Sequence, residues 1–215
     1  EKHPTHPQSA QIQLSQIKEY SGKPYIVLNQ NNPNLTTADI EISPGTIEFS
    51  SLDYLNRCGK IKSCLGIETM PTDERGDISS IHPSGWKQKY YDFIDGRALY
   101  NRCHLIGWQL CGENANKLNL ITGTRYLNTQ GMLPFENMVA DYIKETHNHV
   151  FYRVTPLFEK TELVCRGVVM EAYSIEDDGD GICFNVFCYN VQPGVVIDYK
   201  NGHVKGLAGG RAETR

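Results

Sequence analysis

NRCHLIGWQLCGENANKLNLITGTRYLN, residues 101–128, is the stretch on which the reading of the chain turns. Within it NLITGT (119–124) has strand composition and stops at Gly123 and Thr124. Just downstream, LPFENMVADYIKET (133–146) carries Phe135, Met138, Val139, Tyr142 and Ile143 at i, i+3, i+4, i+7 and i+8, and Pro134 suits its first turn. That spacing predicts a helix with one apolar stripe. His104 and Asn128 therefore stand 24 positions apart at the two ends of a β segment, with Asn128 just before a helix.

Outward from this centre the pattern is mainly β. KPYIVLN (23–29) reads as a first strand, and VFYRVT (150–155), LVCRGVVMEA (163–172) and ICFNVFCYNV (182–191) read as antiparallel strands on short connections. Residues 36–60 look irregular, and 66–100 are loop-rich, with turns at PTDERGD and HPSGW. EKHPTHPQSAQ opens a polar arm over 1–20, and NGHVKGLAGGRAETR closes the chain as a loose tail over 200–215. The expectation is one α+β domain over 21–199, a mainly antiparallel sheet with few helices.

Composition narrows the classes. With 215 residues, 40% hydrophobic and 21% charged, the chain can bury a core of its own, which excludes wholesale disorder. No apolar run is long enough to span a bilayer as a helix. The net charge of −4 argues against coating nucleic acid by bulk attraction. Between Gly85 and Arg125, however, Lys87, Lys89, Arg97, Arg102, Lys117 and Arg125 face three acids, Asp92, Asp95 and Glu113, a local +3 that suits a transient polyanion. Seven cysteines are an odd number without a CxxC or paired Cys/His spacing, so buried thiols are expected and any disulfide pairing stays open.

The same segment supplies what phosphodiester hydrolysis needs: a base for water, charge neutralisation at the phosphate and help for the leaving oxygen. His104 is a candidate base, and Arg102, two residues earlier in extended backbone, shares its face. A single Asn oxygen suffices for Mg²⁺, which keeps most of its waters. Asn128 is placed to give that oxygen, and Glu136, eight residues on and off the apolar stripe, faces the same way. Each has an ordinary explanation alone: a core histidine, a helix-entry Asn, a first-turn acid, a solvated arginine. Their order and spacing together argue for a site. His147-Asn148-His149 reads as a helix C-terminal cap region.

These residues resemble the DNA/RNA non-specific endonuclease family, and most closely its bacterial secreted DNase branch of streptodornases and DNA-entry nucleases. The resemblance runs from about Ser21 to Tyr199 and is most specific over Tyr100–Tyr142. It implies a ββα-metal (His-Me finger) fold, with His104 as general base, Asn128 as direct Mg²⁺ ligand (Mn²⁺ as a substitute), Glu136 acting on the metal through water, and Arg102 on the scissile phosphate. Asn101 and Cys103 depart from the family's Asp-Arg-Gly-His, and Ala140 stands where a further basic residue is expected, which leaves phosphate contacts to Arg97, Lys117 or Arg125. The implied substrate is DNA, with RNA second, and the implied location is outside or on the surface of a bacterial cell. A catalytically silent nucleic-acid-binding or uptake module is the competing class. A nuclease toxin domain, partnered by an immunity or inhibitor protein, keeps the chemistry and changes the biology.

Overall fold

A computed structural model describes residues 12–209. Six strands form one antiparallel sheet: β1 (Tyr25–Val27), β2 (Ile47–Phe49), β3 (Ile61–Leu65), β6 (Val150–Leu157), β7 (Gly167–Ser174) and β8 (Cys183–Tyr189), in the order β1-β8-β7-β6-β3-β2. β4 (Tyr100–His104) and β5 (Leu120–Thr124) form a separate antiparallel ribbon, and β9 (Val195–Ile197) pairs with β10 (Val204–Leu207) in another. The α-helices among the described residues are the one-turn α1 (Thr37–Ile40) and α2 (Trp108–Cys111) and the 14-residue α3 (Leu133–Thr146). The α+β class and the mainly antiparallel sheet are as the sequence predicts.

α3 has the predicted bounds, and its stripe is buried at Phe135, Val139 and Ile143, while Tyr142 is half-buried and Met138, expected on the stripe, is exposed at the helix edge. Those side chains pack with Leu65, Tyr152, Val154, Val168, Met170, Phe184 and Val186 of the sheet. The β4–β5 ribbon joins the same core through Cys103 and Ile121. Helix and ribbon thus cover one sheet face. On the other face, Ile12, Leu14, Ile17 and Tyr20 pack over Leu157, Val169, Phe187 and Tyr189. With both faces covered, every residue of β7 is buried.

Two expectations meet a different outcome at the ends. Residues 12–20 lie against the sheet, and residues 204–207 form a strand, because Val204 and Leu207 pack with Tyr91, Leu99 and Ile197 in a small side cluster. The rest of the expected arm and tail, 1–11 and 210–215, lies outside the described residues. β2 falls inside the segment read as irregular. All seven cysteines are free thiols.

Candidate active site

The antiparallel register of the ribbon pairs Tyr100 with Thr124 and His104 with Leu120. Strand alternation sends Arg102 and His104 to one face of β4 and Asn101 and Cys103 to the other. From β5 the chain turns directly into a helix. Leu127–Met132 is a π-helical turn continuous with α3, so Asn128 sits inside the helical unit and not ahead of it. Such π turns are rare and concentrate at functional positions. Eight residues is about two turns of helix, which sets Asn128 and Glu136 on a common side.

His104 is 6% exposed, and its Nε2 lies 2.9 Å from the backbone carbonyl of Asn114. A carbonyl oxygen only accepts, so Nε2 carries the proton and Nδ1 keeps the lone pair. Burial pushes the His104 pKa below its usual 6.5, with the Arg75 charge helping, against the opposing pull of the Asn114 carbonyl. The ring is thus a neutral imidazole with a basic Nδ1.

Asn128, half-buried, is held at both ends of its amide. Its Nδ2 donates to Asn101 Oδ1 at 3.2 Å, and the Cys103 thiol donates to its Oδ1 at 3.4 Å. Asn101 therefore still serves as an acceptor where the family pattern has a carboxylate. The other departure is also accommodated: a Cβ on Gly123 would stand 2.5 Å from Cys103 Cβ, so a glycine at 123 makes room for the side chain at 103.

Glu136 is 6% exposed and accepts no hydrogen bond among the described residues. Burial pushes its carboxyl pKa up to about 8, opposed by the Arg75 charge. A Cβ on Gly107 would meet Glu136 Oε2 at 2.9 Å, so the carboxylate lies directly over the backbone three residues past His104. Cys103, which touches Asn128, also feels the Glu136 charge, and Arg75 acts on both Glu136 and His104. Cys103 thus links the amide to the carboxylate, and His104 shares with Glu136 the influence of the Arg75 charge.

The oxygen donors suit a hard divalent cation, whose charge would favour the ionised form of Glu136: a buried carboxyl with no hydrogen-bond partner among the described residues, and an amide oxygen whose present partner is a weak thiol donor. Among the described residues no group of three or more His, Cys, Asp or Glu is disposed to hold a metal.

The predicted basic residues divide. The Arg102 guanidinium donates through Nε to the Ile81 carbonyl (2.5 Å) and through Nη2 to the Ser79 carbonyl (2.6 Å), which commits most of it to holding the 79–81 loop. Arg97 pairs with Asp92 at 2.9 Å and Arg125 with Asp95 at 3.0 Å, so each has its charge offset by a neighbour. Lys117 is exposed and in no ion pair among the described residues.

Two residues escape the sequence reading. Arg75, exposed in the PTDERGD turn, has only a long contact to Asn114 Oδ1 at 3.4 Å and reaches the site electrostatically. A turn-rich composition hides it. Asn119, fully buried, accepts from Ile106 N (2.9 Å) and donates to the carbonyls of Ile106 (3.0 Å) and Glu113 (3.3 Å). It staples the loop that carries the Asn114 carbonyl, and its position at a strand start gives no sign of this.

Comparison with known proteins follows the same lines. The profile of the DNA/RNA non-specific endonuclease family matches residues 37–176. The chain is similar to NucA from Streptococcus agalactiae in its magnesium-bound structure, with a TM-score of 0.75 and 25% identity over 87% of this chain and 90% of that one. Sda1 nuclease with a bound zinc ion gives 0.63 and 28% over 76% and 80%. An extracellular endonuclease, 22% identical with a TM-score of 0.61 over 87% and 100%, shares the fold.

Proposed function

Since the chain belongs to the DNA/RNA non-specific endonuclease family and has its ββα-metal nuclease fold, we propose that it is a divalent-metal-dependent endonuclease of DNA, with RNA as a second substrate, in which His104 is the general base. The observation that carries this reading is the His104 ring: Nε2 tied to a carbonyl, Nδ1 left basic, and burial that keeps the ring unprotonated at neutral pH. Nδ1 takes a proton from the water that attacks phosphorus. Asn128 Oδ1 would hold Mg²⁺, with Mn²⁺ as a substitute, and Glu136 would act on the ion through water. When bound, the ion neutralises charge on the phosphate and eases departure of the leaving oxygen.

Arg75 and Lys117, which form no ion pair among the described residues, contact phosphates. Arg97 and Arg125 contribute only by exchanging their Asp partners for phosphate, and Arg102 acts chiefly by fixing the loop beside the base. Phosphate contacts carry no base information, so cleavage is non-specific. A secreted or cell-surface bacterial nuclease fits the extracellular endonuclease that shares its fold.

Supercoiled plasmid incubated with Mg²⁺ should be nicked and linearised by the wild type and spared by excess chelator. His104→Ala should lower the rate by at least about 10³-fold, in line with loss of a general base and its positioning, with an unchanged circular-dichroism spectrum. Asn128→Ala should cripple cleavage and also weaken Mg²⁺ binding by calorimetry. A His104→Ala protein that cuts at the wild-type rate would remove the assignment.

A further inference from the structure

Arg102 does more than hold a loop. Its guanidinium carbon lies 4.3 Å from the centre of the Trp86 ring, so the strand that carries His104 also seats an indole. Trp86 is half-buried and tilted against Tyr100 at 6.2 Å. Beside it the His82 imidazole is parallel to the indole within 7°, with ring centroids 6.2 Å apart. His82 is exposed, and its ring nitrogens have no hydrogen-bond or ionic partner among the described residues.

The turn bearing these rings is fixed at several points. Ile81 N donates to Ile78 O, Trp86 N to Pro83 O, and Ser84 Oγ to the Leu163 carbonyl at 2.6 Å. The carbonyl of Ile81, next to His82, is the acceptor of Arg102 Nε. Three planar π systems are thus organised at the surface around the residue two positions from the base. The imidazole satisfies no polar group by lying there.

We propose that His82 and Trp86 form a stacking subsite for an unpaired nucleobase of the substrate strand, flanking the phosphate held at His104. This rests on the endonuclease reading of the His104 site and adds where a neighbouring base goes. Every base offers a π face, so stacking tolerates any sequence, as a non-specific nuclease requires. A base inside a duplex is already stacked on its neighbours, so the subsite favours single-stranded or frayed nucleic acid.

Fluorescence anisotropy in chelator, where cleavage is blocked, tests the subsite without catalysis. The probes are a labelled ten-residue oligothymidylate and an abasic deoxyribose-phosphate chain of equal length. His82→Ala should weaken oligothymidylate binding about five- to hundredfold and leave the abasic chain unaffected, while His82→Phe restores binding. Trp86→Leu should act as His82→Ala does, with folding checked by circular dichroism. Equal loss on both probes would assign His82 to charge, and the proposal would fall. Unchanged binding of His82→Ala, or wild-type protein that binds the two probes equally, would also overturn it. Failure of the endonuclease reading has its own signature, plasmid cleavage that ignores metal or His104→Ala, and leaves the two-probe difference untouched.

Discussion

Glu136 is the residue on which the site's electrostatics depend most. A carboxyl whose folded pKa stands at about 8 against an ordinary 4.5 binds its proton more tightly folded than unfolded. Its contribution to stability is therefore full below pH 4.5 and is lost as pH rises toward 8. In chelator, the denaturant midpoint of the wild type should fall across that window, and Glu136→Gln should flatten the profile. A parallel decline in both proteins would mean that the carboxyl is not the group titrating. Under the same helix Tyr152 is fully buried with no partner for its hydroxyl, and the Glu136 charge acts on it. A buried orphan hydroxyl costs free energy, so Tyr152→Phe should stabilise the protein by about 1 kcal/mol in urea titration. Single residues of this kind were the least legible part of the sequence. Composition says that Glu136 is off the apolar stripe; only packing shows that it is buried anyway.

Among elements, α3 was legible from its unbroken 3.6-residue period, and β5 from its strand composition and its stop at Gly123-Thr124. β2 was not, since three residues hold too little pattern to outweigh the turns around them. The π turn is a third case: nothing in LNTQGM departs from an ordinary helix start. The HNH sequence at the end of α3 holds a device of its own. His147 closes the helix at φ 60°, as a C-terminal cap. His149 Nε2 meets Glu68 at 2.7 Å and Nδ1 meets Glu176 at 3.1 Å, which ties β6 to the turn after β3 and the turn after β7. The two carboxylates raise the His149 pKa above 6.5 despite burial, so its stabilisation is full below pH 6.5 and lost as pH rises through the elevated value. Against burial, Glu68 is lowered first by a hydrogen bond from its own backbone N–H and then by the His149 contact, and it sets the acid limit: its share is present above pH 4.5 and lost as pH falls through its depressed value. These groups are partly exposed, so the effect is modest, about 1 kcal/mol or less. His149→Gln should lower Tm by about 2–4 °C at pH 6 and by much less at pH 9, read by scanning calorimetry.

At the scale of the whole molecule, the covering of the second sheet face explains why the boundary expected at residue 21 does not mark the edge of packed structure. Tyr20 stands edge-on to Tyr126 and Tyr189, with its hydroxyl 3.0 Å from that of Tyr126, and Tyr189 Oη donates to the Lys18 carbonyl at 2.6 Å. Ile12, Leu14, Ile17 and Tyr20 follow no regular period, so their burial could not be read from spacing. Tyr126 lies two residues before Asn128, which connects this strap to the site. Tyr20→Ala should cost about 2–3 kcal/mol in denaturant and weaken Mg²⁺ binding in calorimetry. A stable variant with wild-type Mg²⁺ affinity would show that strap and site are independent. The proposed site residues His104, Asn128 and Glu136 could be picked out together because they are compressed into one ribbon and one helix. Arg75 was not, because its contribution depends on a loop crossing the face of that ribbon.

The buried thiols give the chain a built-in gauge of its own integrity. Burial raises the pKa of all seven, and only Cys183 is appreciably open to solvent. An alkylating reagent at neutral pH thus finds one slow target on intact molecules and six more on each molecule that opens. The mass of the labelled product counts folded and unfolded copies without any substrate.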